Sequence, residues 1–459
     1  TKYSGTYLGL IEKIPYLKKL GITAVELLPV FEFDEKENKN YNPYTKKQLK
    51  NFWGYNTIGF FAPKAAYAYQ MAKNKQVQEF KTMVRALHKE NIEIILDIVL
   101  NHTGEGNDEG PTFHFKALDN PVYYILDNHG KYFNFSGCGN SVNCNNPVVM
   151  DFIIDCLKYW VIEMHIDGFR FDLASILTRD GRGMPLQKPP IIERIAADPV
   201  LKNVKLIAEP WDAGGLYQVG SFPGYPRWAE WNGKFRDDVR SFVKGDEGAV
   251  QKFANRLIGS PDIYKYRGNS TYQSINFVTC HDGFTLNDLV SYNSKHNMPN
   301  GENNRDGENN NLSWNYGYEG PTSNEKIIQI RNRQVKMFMG LLFLSQGVPM
   351  ILSGDEFGRT QSGNNNAYCQ DNDTSWLDWS LAEKNKDFLR FVREMILFRK
   401  SHSVLRKRGF NHLKLVWHGV KEKRADWSHT SHSIAFTLDV ENERVYIAIN
   451  CLWADLIFE

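Results

Sequence analysis

The segment that decides the fold is His165-Ile-Asp-Gly-Phe-Arg-Phe-Asp-Leu-Ala-Ser175. Side chains alternate between the two faces of a β-strand, so Arg170 and Asp172 share one face. Phe169 and Phe171 then occupy the other. A cation and a carboxylate in an apolar strand are costly to bury unless they satisfy each other or a substrate. Arg170 also favours the ionised form of Asp172, which a carboxylate nucleophile requires. The pattern indicates either a structural ion pair or a catalytic pair, and the other strands decide between them.

The same alternation of helix and apolar strand recurs along the chain. Near-continuous apolar runs indicate strands of a parallel sheet that is covered on both faces. The predicted strands are 22–30, 52–63, 92–102, 167–173, 204–209, 228–231, 274–282 and 349–356, and the predicted helices are 8–20, 77–89, 148–164, 191–197 and 325–345. Because polar residues fall at the C-terminal ends of these strands, the pattern favours a (β/α)8 barrel over an open doubly wound sheet.

The predicted barrel spans residues 1–400, with an extended loop region at about 103–147. From residue 401 to residue 459 the pattern changes to short strands, which predict the beginning of a C-terminal β-sandwich domain. These strands are 414–418, 433–438, 444–450 and 455–459.

Composition excludes some classes of function. Lys and Arg number 55 and Asp and Glu number 53, so the charge favours neither nucleic acid nor an anionic membrane surface as a partner. Aromatic residues make up 13% of the chain, and flat rings of this kind suit carbohydrate faces. The six cysteines form neither a metal array nor a clear disulfide framework, although Cys138 and Cys144 could pair in an oxidising compartment. Reduced thiols are the expectation.

Ionisable or strongly polar residues follow four of the predicted strands. They are Asp97, Asn101 and His102 on the third, Arg170 and Asp172 on the fourth, Glu209 on the fifth, and His281 and Asp282 on the seventh. In a (β/α)8 barrel these ends meet at the face where active sites lie. Each residue alone could be a cap, a core histidine or a loop acid, but together they predict an active site. No HExxH, CxxC or phosphate-binding glycine motif competes with this interpretation.

Carboxyl groups without a metal cluster suggest glycoside hydrolysis, which needs one carboxylate to attack and one carboxylic acid to protonate the leaving oxygen. Asp172 suits the nucleophile. Glu209 has apolar neighbours and no adjacent cation in sequence, so we expect it to stay protonated as the acid. A separation of about 5 to 5.5 Å between the two would mean retention of configuration. Asp282 and the two histidines would hold sugar hydroxyls, and Tyr55 would stack on the sugar.

Four blocks resemble the signature regions of the α-amylase superfamily, glycoside hydrolase family 13. They are 97–102, 168–172, Glu209 and 277–282. The resemblance implies that Asp172 is the nucleophile, Glu209 the acid/base and Asp282 the transition-state stabiliser. With the constellation above, it gives these predicted substrate-binding residues: Tyr55, Asp97, Asn101, His102, Arg170, Trp211 and His281.

Longer motifs resemble the isoamylase branch of this family, which includes bacterial glycogen debranching enzymes. They cover residues 209–220, 228–237, 300–314 and 354–358, and residues 138–147 are most similar to plant and algal starch isoamylases. The resemblance implies hydrolysis of α-1,6 branch linkages in glycogen, amylopectin or limit dextrin. Specificity for α-1,6 linkages comes from the resemblance alone. Trp211 and the loop 300–311 are expected to shape a cleft for the branch point.

The resemblance also leaves alternatives open. The family's N-terminal glucan-binding β-sandwich is expected to lie outside these residues, and the C-terminal sandwich is expected to be truncated. Some members bind calcium, but no compact acidic cluster indicates it here, so no metal or cofactor is expected. An α-1,4 amylase, a glucan transferase or a non-catalytic glucan-binding subunit are the competing functions. The expected location is the cytoplasm for a bacterial protein, which is preferred, or the plastid for a plant or algal protein.

Overall fold

A computed structural model describes residues 2–70, 73–268, 270–410, 414–440 and 443–459. The chain divides into two compact units. The first comprises Thr1–Glu37 and Trp53–Trp231, and the second comprises Asn38–Phe52 and Asn232–Glu459. Within the described residues, no helix is both long and apolar enough to cross a membrane.

The first unit alternates helices with the strands of a parallel sheet. Its elements are α1 (Tyr7–Ile11), α2 (Ile14–Leu20), β1 (Ala24–Leu27), β2 (Phe31–Phe33), β3 (Thr57–Pro63), α3 (Gln76–Lys89), β4 (Glu93–Ile98), α4 (Phe115–Tyr123), α5 (Pro147–Ile162), β5 (Gly168–Phe171), α6 (Pro190–Ala197), β6 (Lys205–Ala208) and β7 (Ala229–Trp231). Strands β1, β4, β5, β6 and β7 are parallel neighbours in that order. Strand β2 pairs with β3 in a separate antiparallel ribbon.

Two predictions for the N-terminal region differ from the structure. The predicted helix 8–20 is two helices, because Pro15 occupies the first turn of α2, where its missing N–H group is tolerated. Gly21 ends α2 with a φ of 93°, as predicted for a glycine cap. The predicted strand 52–63 begins only at Thr57 and is antiparallel to β2, so Tyr55 lies in the preceding loop and not on a strand of the parallel sheet.

Strand β5 lies inside the parallel sheet, between β4 and β6, and all four of its residues are buried. Phe169 and Phe171 belong to the hydrophobic core of the first unit. Gly168 allows the adjacent strands to approach closely, since a Cβ atom there would lie 2.8 Å from Cβ of Lys205. Arg170 is fully buried on the alternate face, where its charge must be satisfied by side chains from neighbouring strands.

The second unit contains helices, two short parallel strands and a C-terminal antiparallel sheet. Its elements are α7 (Gly233–Lys244), α8 (Val250–Leu257), α9 (Pro261–Tyr264), β8 (Ser274–Asn276), α10 (Leu286–Leu289), α11 (Glu325–Leu344), β9 (Val348–Pro349), α12 (Ser380–Lys384), α13 (Lys386–Ser401), β10 (Lys414–His418), β11 (Ser433–Val440) and β12 (Glu443–Asn450). Strand β8 is parallel to β9, and β11 pairs antiparallel with both β10 and β12.

Three strand predictions in the second unit were too long or wrong. Strand β8 ends at Asn276, so the predicted strand 274–282 stops well before its polar residues. The predicted strand 349–356 is reduced to β9, and its last residues belong to a 3-10 helix. Residues 455–459 form no strand, although the N–H of Glu459 donates to the carbonyl of Val420 at 2.9 Å. The domain boundary after residue 400 stays a prediction.

Candidate active site

The candidate site in the first unit is organised around the guanidinium of Arg170. Its Nη1 atom donates to both carboxylate oxygens of Asp97 on β4, at 2.7 and 2.8 Å. The same atom donates to Asp172 Oδ1 at 3.2 Å. Nη2 lies 3.0 Å from Glu209 Oε2 and forms an ion pair with it. The geometry of this contact is not that of a hydrogen bond, and Nη2 has no hydrogen-bond partner among the described residues. One buried cation therefore serves three carboxyl groups from adjacent strands, and the predicted pairing of Arg170 with Asp172 is confirmed.

Asp172 is held by a second set of contacts from the end of β4. The side-chain Nδ2 of Asn101 donates to Asp172 Oδ2 at 2.7 Å and to its backbone carbonyl at 2.9 Å. His102 lies beside Asn101, with 2.6 Å between His102 Nδ1 and Asn101 Oδ1. The structure thus brings Asn101, His102 and Asp172 together, as the shared strand ends predicted. These contacts fix the direction in which the Asp172 carboxylate points.

Glu209 follows β6 and is bound differently from the prediction. The sequence showed no adjacent cation, but the register of β5 and β6 brings Arg170 to Glu209 from the neighbouring strand. The inference that Glu209 lacks a cationic neighbour was therefore wrong. The backbone N–H of Leu173 also donates to Glu209 Oε2 at 2.7 Å. Leu173 has φ 40° and ψ 49°, a left-handed conformation that is unfavourable for a leucine and that here turns its N–H toward the acid.

Two further carboxyl groups are affected by the same charges. Burial raises the pKa of Asp97 to about 6, although Arg170 opposes this increase. The Tyr55 hydroxyl donates to Asp97 Oδ2 at 2.5 Å, and burial raises the pKa of Tyr55 well above its usual value. Desolvation and the neighbouring Asp97 raise the pKa of Glu26 on β1 to about 8. Asp97 and Glu26 therefore retain protons closer to neutral pH than ordinary carboxyl groups do.

Trp211 lies in the loop that begins directly after Glu209. Its N–H donates to the Glu209 carbonyl at 3.0 Å, and its ring stacks on Tyr217 with 6.0 Å between centroids and an interplanar angle of 16°. The loop is anchored by the buried pair of Arg179 and Asp212, whose Nη2 and Oδ2 atoms are 2.7 Å apart. The position of Trp211 as a substrate-binding residue stays a prediction, but its aromatic face is held by a fixed loop.

In the second unit, side-chain amides in and around the predicted cleft loop 300–311 form hydrogen bonds with one another and with the backbone. Asn365 Oδ1 accepts from Asn297 Nδ2 at 2.8 Å, and Asn365 Nδ2 donates to Asn311 Oδ1 at 2.9 Å. Asn300 Nδ2 donates to the carbonyl of Asn366 at 2.8 Å. Asn297, Asn300 and Asn365 are buried. These amides join two loops of the second unit, which is a structural role that the sequence analysis did not anticipate.

His281 and Asp282 belong to the second unit, in the loop after β8. The thiol of Cys280 donates to Asp282 Oδ1, with 2.6 Å between sulfur and oxygen. Ligand atoms of Cys280, His281 and Asp282 lie within 4.8 Å of one another, the one such group found among the described residues. Burial raises the pKa of the Cys280 thiol well above its usual value, which favours the protonated thiol that donates to Asp282. The donor set does not suit calcium, which prefers oxygen ligands.

Sequence reasoning missed several residues that complete the first unit's cluster. The Arg170 guanidinium lies 4.1 Å from the ring centroid of Trp231, a favourable cation–π contact. Glu26 could have been noticed as the carboxylate inside an apolar strand. Leu173 carries no sequence signal, because a left-handed leucine is not predictable from residue type. Cys138 and Cys144, considered as a disulfide pair, are both unpaired, and the other four cysteines, all within the described residues, also form no disulfide.

The buried guanidinium predicts a stability cost for Arg170→Lys. One ammonium cannot reach Asp97, Asp172 and Glu209 as the planar guanidinium does, so at least one buried carboxyl group loses its charged partner. We expect the free energy of unfolding to fall by about 1–3 kcal/mol, measured by urea denaturation. Arg194→Lys is the matched control, because Arg194 pairs with Asp151 at the surface, and it should cost no more than about 0.5 kcal/mol. Equal effects of the two substitutions would contradict the central role of Arg170.

Comparison with known proteins gives concordant matches. The α-amylase catalytic-domain family matches residues 1–125. Isoamylase 1, chloroplastic, of Arabidopsis thaliana is 49% identical over 474 residues, covering 98% of this chain and 60% of the relative. A Glycogen operon protein GlgX homolog of Mycobacterium tuberculosis is 53% identical over 411 residues, covering 88% of this chain and 56% of the relative. The structure of pullulanase type I from Bacillus subtilis complexed with maltose has a TM-score of 0.74 at 26% identity, covering 98% of this chain and 60% of that one.

These matches confirm the predicted fold class, a (β/α)8 barrel followed by antiparallel strands. The chain spans about 60% of the length of the curated relatives it matches. The parallel strands, the charged residues at their ends and the similarity over nearly the whole chain agree with one another. The chain therefore belongs to the α-amylase superfamily, in which it is homologous to isoamylases and to proteins named Glycogen operon protein GlgX homolog.

Proposed function

We propose that this chain carries the catalytic part of a hydrolase that cleaves α-1,6-glucosidic branch linkages in glycogen, amylopectin or limit dextrin. The observation that supports the proposal is that Asp172 and Glu209, at the ends of adjacent strands, both contact the guanidinium of Arg170. Two nearby carboxyl groups are the minimum that glycoside hydrolysis needs. The homology to isoamylases and GlgX proteins supports the branched α-glucan as substrate.

The proposed reaction is a double displacement with retention of configuration. Asp172 attacks the anomeric carbon while Glu209 gives its proton to the leaving glycosidic oxygen, so that a glycosyl ester forms on Asp172 and the other glucan chain departs. Glu209 then removes a proton from water, which attacks the anomeric carbon and releases Asp172. Asp282 is proposed to stabilise the transition state, on the basis of its place in the family motif. The reaction uses no cofactor, because the two carboxyl groups supply both the nucleophile and the proton.

The ion pair with Arg170 is compatible with the proposed role of Glu209 as a proton donor, because Arg170 is shared with two other acids. Three carboxyl groups face one guanidinium, and each ionised carboxylate disfavours the ionisation of the acids beside it. A proton shared within the cluster relieves this repulsion. Asn101 and Arg170 both contact the Asp172 carboxylate, and the role of proton donor is proposed for Glu209 on the basis of its place in the family motif.

The proposed partner and location follow from the same homology. The partner is a branched α-glucan, and neither nucleic acid nor a membrane is proposed. We place the protein in the cytoplasm if it is bacterial and in the plastid if it is from a plant or alga, with the cytoplasm preferred. The chloroplastic isoamylases and the bacterial GlgX homologues support these two locations.

Product analysis tests the proposal most directly. Incubation with amylopectin should release linear chains and deepen the blue iodine colour, because longer unbranched segments become available. Linear amylose should remain intact. Loss of iodine colour with cleavage of amylose would instead identify an α-1,4 amylase. Change of amylose chain lengths without new reducing ends would identify a transferase, and glucan binding without any turnover would identify a non-catalytic subunit.

A further inference from the structure

We infer that His102 is an imidazolium cation at neutral pH and that it positions the Asp172 carboxylate through Asn101. It is thus a positioning residue that acts through its neighbour. The description of Asp172 as a nucleophile rests on the proposed function. The protonation of His102 does not, because it follows from the hydrogen-bond partners of the ring alone. This role differs from the predicted one of holding a sugar hydroxyl.

The partner of the first ring nitrogen is an acceptor. Asn101 Nδ2 contacts Asp172 Oδ2 at 2.7 Å and the Asp172 carbonyl at 2.9 Å, and both of these oxygens accept hydrogen bonds. The amide of Asn101 must therefore present its NH2 group to Asp172 and its carbonyl oxygen to His102. His102 Nδ1 lies 2.6 Å from that oxygen. The nitrogen must carry a hydrogen, because an amide oxygen cannot donate.

The partner of the second ring nitrogen is also an acceptor. His102 Nε2 lies 2.8 Å from the backbone carbonyl oxygen of Tyr55. A carbonyl oxygen only accepts, so Nε2 carries a hydrogen as well. A neutral histidine has one hydrogen on its ring nitrogens and would point the lone pair of the other nitrogen at an oxygen. Only the imidazolium satisfies Asn101 and Tyr55 together.

The surroundings of the ring stabilise the positive charge. His102 is 2% exposed, and burial by itself lowers its pKa. The interactions with Cys138, Asp172 and the Tyr55 carbonyl outweigh burial and raise the pKa of His102 to about 9. Among the described residues of the first unit, Asp172 and Cys138 are the titratable groups that influence the pKa of the ring. Asp172 in turn contacts Arg170, which forms an ion pair with Asp97.

Loss of the His102 proton would change the orientation of Asp172. A deprotonated Nδ1 would repel the Asn101 oxygen that it faces, and the Asn101 amide could relieve this repulsion only by rotating. Rotation would turn the amide oxygen toward Asp172 and replace two hydrogen bonds by a repulsion. We therefore expect the catalytic rate to fall when His102 titrates.

Nuclear magnetic resonance tests the protonation without any assay of activity. In the full chain with 15N-labelled histidine, the His102 signals are identified by their loss in His102→Gln, and His102→Asn gives the same assignment if the glutamine variant does not fold. Both ring nitrogens should have the chemical shifts of an imidazolium at neutral pH and should titrate near pH 9. A neutral tautomer at neutral pH would overturn the inference. An imidazolium in a protein without debranching activity would overturn the proposed function and leave the protonation intact.

The pH dependence of kcat/KM on amylopectin tests the positioning role. The wild type should lose activity about tenfold per pH unit above about pH 9. Cys138→Ser is the matched control. Besides Asp172, the Cys138 thiol is the titratable group that interacts with the His102 ring. This variant should keep an alkaline decline but show it at lower pH, because Cys138 is one of the groups that raise the pKa of His102. A decline that disappears in Cys138→Ser would assign it to the thiol and overturn the positioning role, as would a wild-type rate that stays constant through the titration of His102.

Discussion

Asp172→Ala is expected to abolish the release of linear chains from amylopectin while glucan binding survives. The substitution removes the only atom that is proposed to bond to the anomeric carbon, and no neighbouring group of the Arg170 cluster replaces it. We expect kcat to fall by a factor on the order of 10^4 to 10^6. Reducing-end release measures the rate, and retardation in amylopectin-containing gels measures binding. Asp151→Ala is the control, since Asp151 is an exposed carboxylate on α5 and should leave both quantities unchanged.

Azide separates loss of the nucleophile from general damage to the site. In Asp172→Ala the space of the carboxylate is open to a small anion, and Glu209 can still protonate the leaving oxygen. Azide should therefore restore turnover of a short α-1,6 branched oligosaccharide and give a glycosyl azide of inverted configuration, because the azide attacks once in place of Asp172. Normal turnover by the variant without azide, or rescue that gives the retained anomer, would contradict the assignment of Asp172.

Glu209→Gln is expected to lower kcat for branch hydrolysis by about 10^2 to 10^4-fold. The glutamine keeps the size of the side chain, and its amide oxygen can still accept from the N–H of Leu173, so the loop geometry should be preserved. What is lost is the proton for the leaving oxygen. Glu163→Gln at the surface is the matched control and should retain full activity.

A substrate with a good leaving group locates the defect of Glu209→Gln. Fluoride leaves without prior protonation, so a maltooligosyl α-fluoride should form the glycosyl ester on Asp172 in the variant nearly as fast as in the wild type. Release of this ester then needs the missing base, so a burst of fluoride followed by slow turnover is expected. An equal loss on the fluoride and on the branched glucan would show that Glu209 does not act as the proton donor.

The parts of the site that the sequence predicted are those set by local geometry. Arg170 and Asp172 are two residues apart, and strand alternation is enough to place them on one face. Asn101 and His102 were predicted at the end of the apolar strand 92–102, and although β4 already ends at Ile98, both residues lie just after it. The parallel order of helix and strand likewise depends on periodicity within short windows. For this reason these predictions agree with the structure.

The remaining features depend on contacts between distant segments. The cation beside Glu209 comes from another strand, so it depends on the register of β5 and β6, which no local pattern encodes. The predicted strand 274–282 was too long because the apolar run in the sequence continues past Asn276. In the structure β8 ends at Asn276, and the chain beyond it turns to bind other loops. Tyr55 was placed on a strand because aromatic and β-branched residues surround it, whereas pairing with β2 begins only at Thr57.

The single guanidinium shared by three acids has a consequence for how this site can be altered by mutation. If the charge of Asp97 is removed, the positive charge of Arg170 interacts more strongly with Asp172 and Glu209. The effect of each substitution therefore depends on which other acids are present. The energetic effects of substitutions at these positions should therefore not be additive. A substitution that changes the pKa of one acid to obtain a new pH optimum would also change the pKa values of the two neighbouring acids, which would then need compensating substitutions.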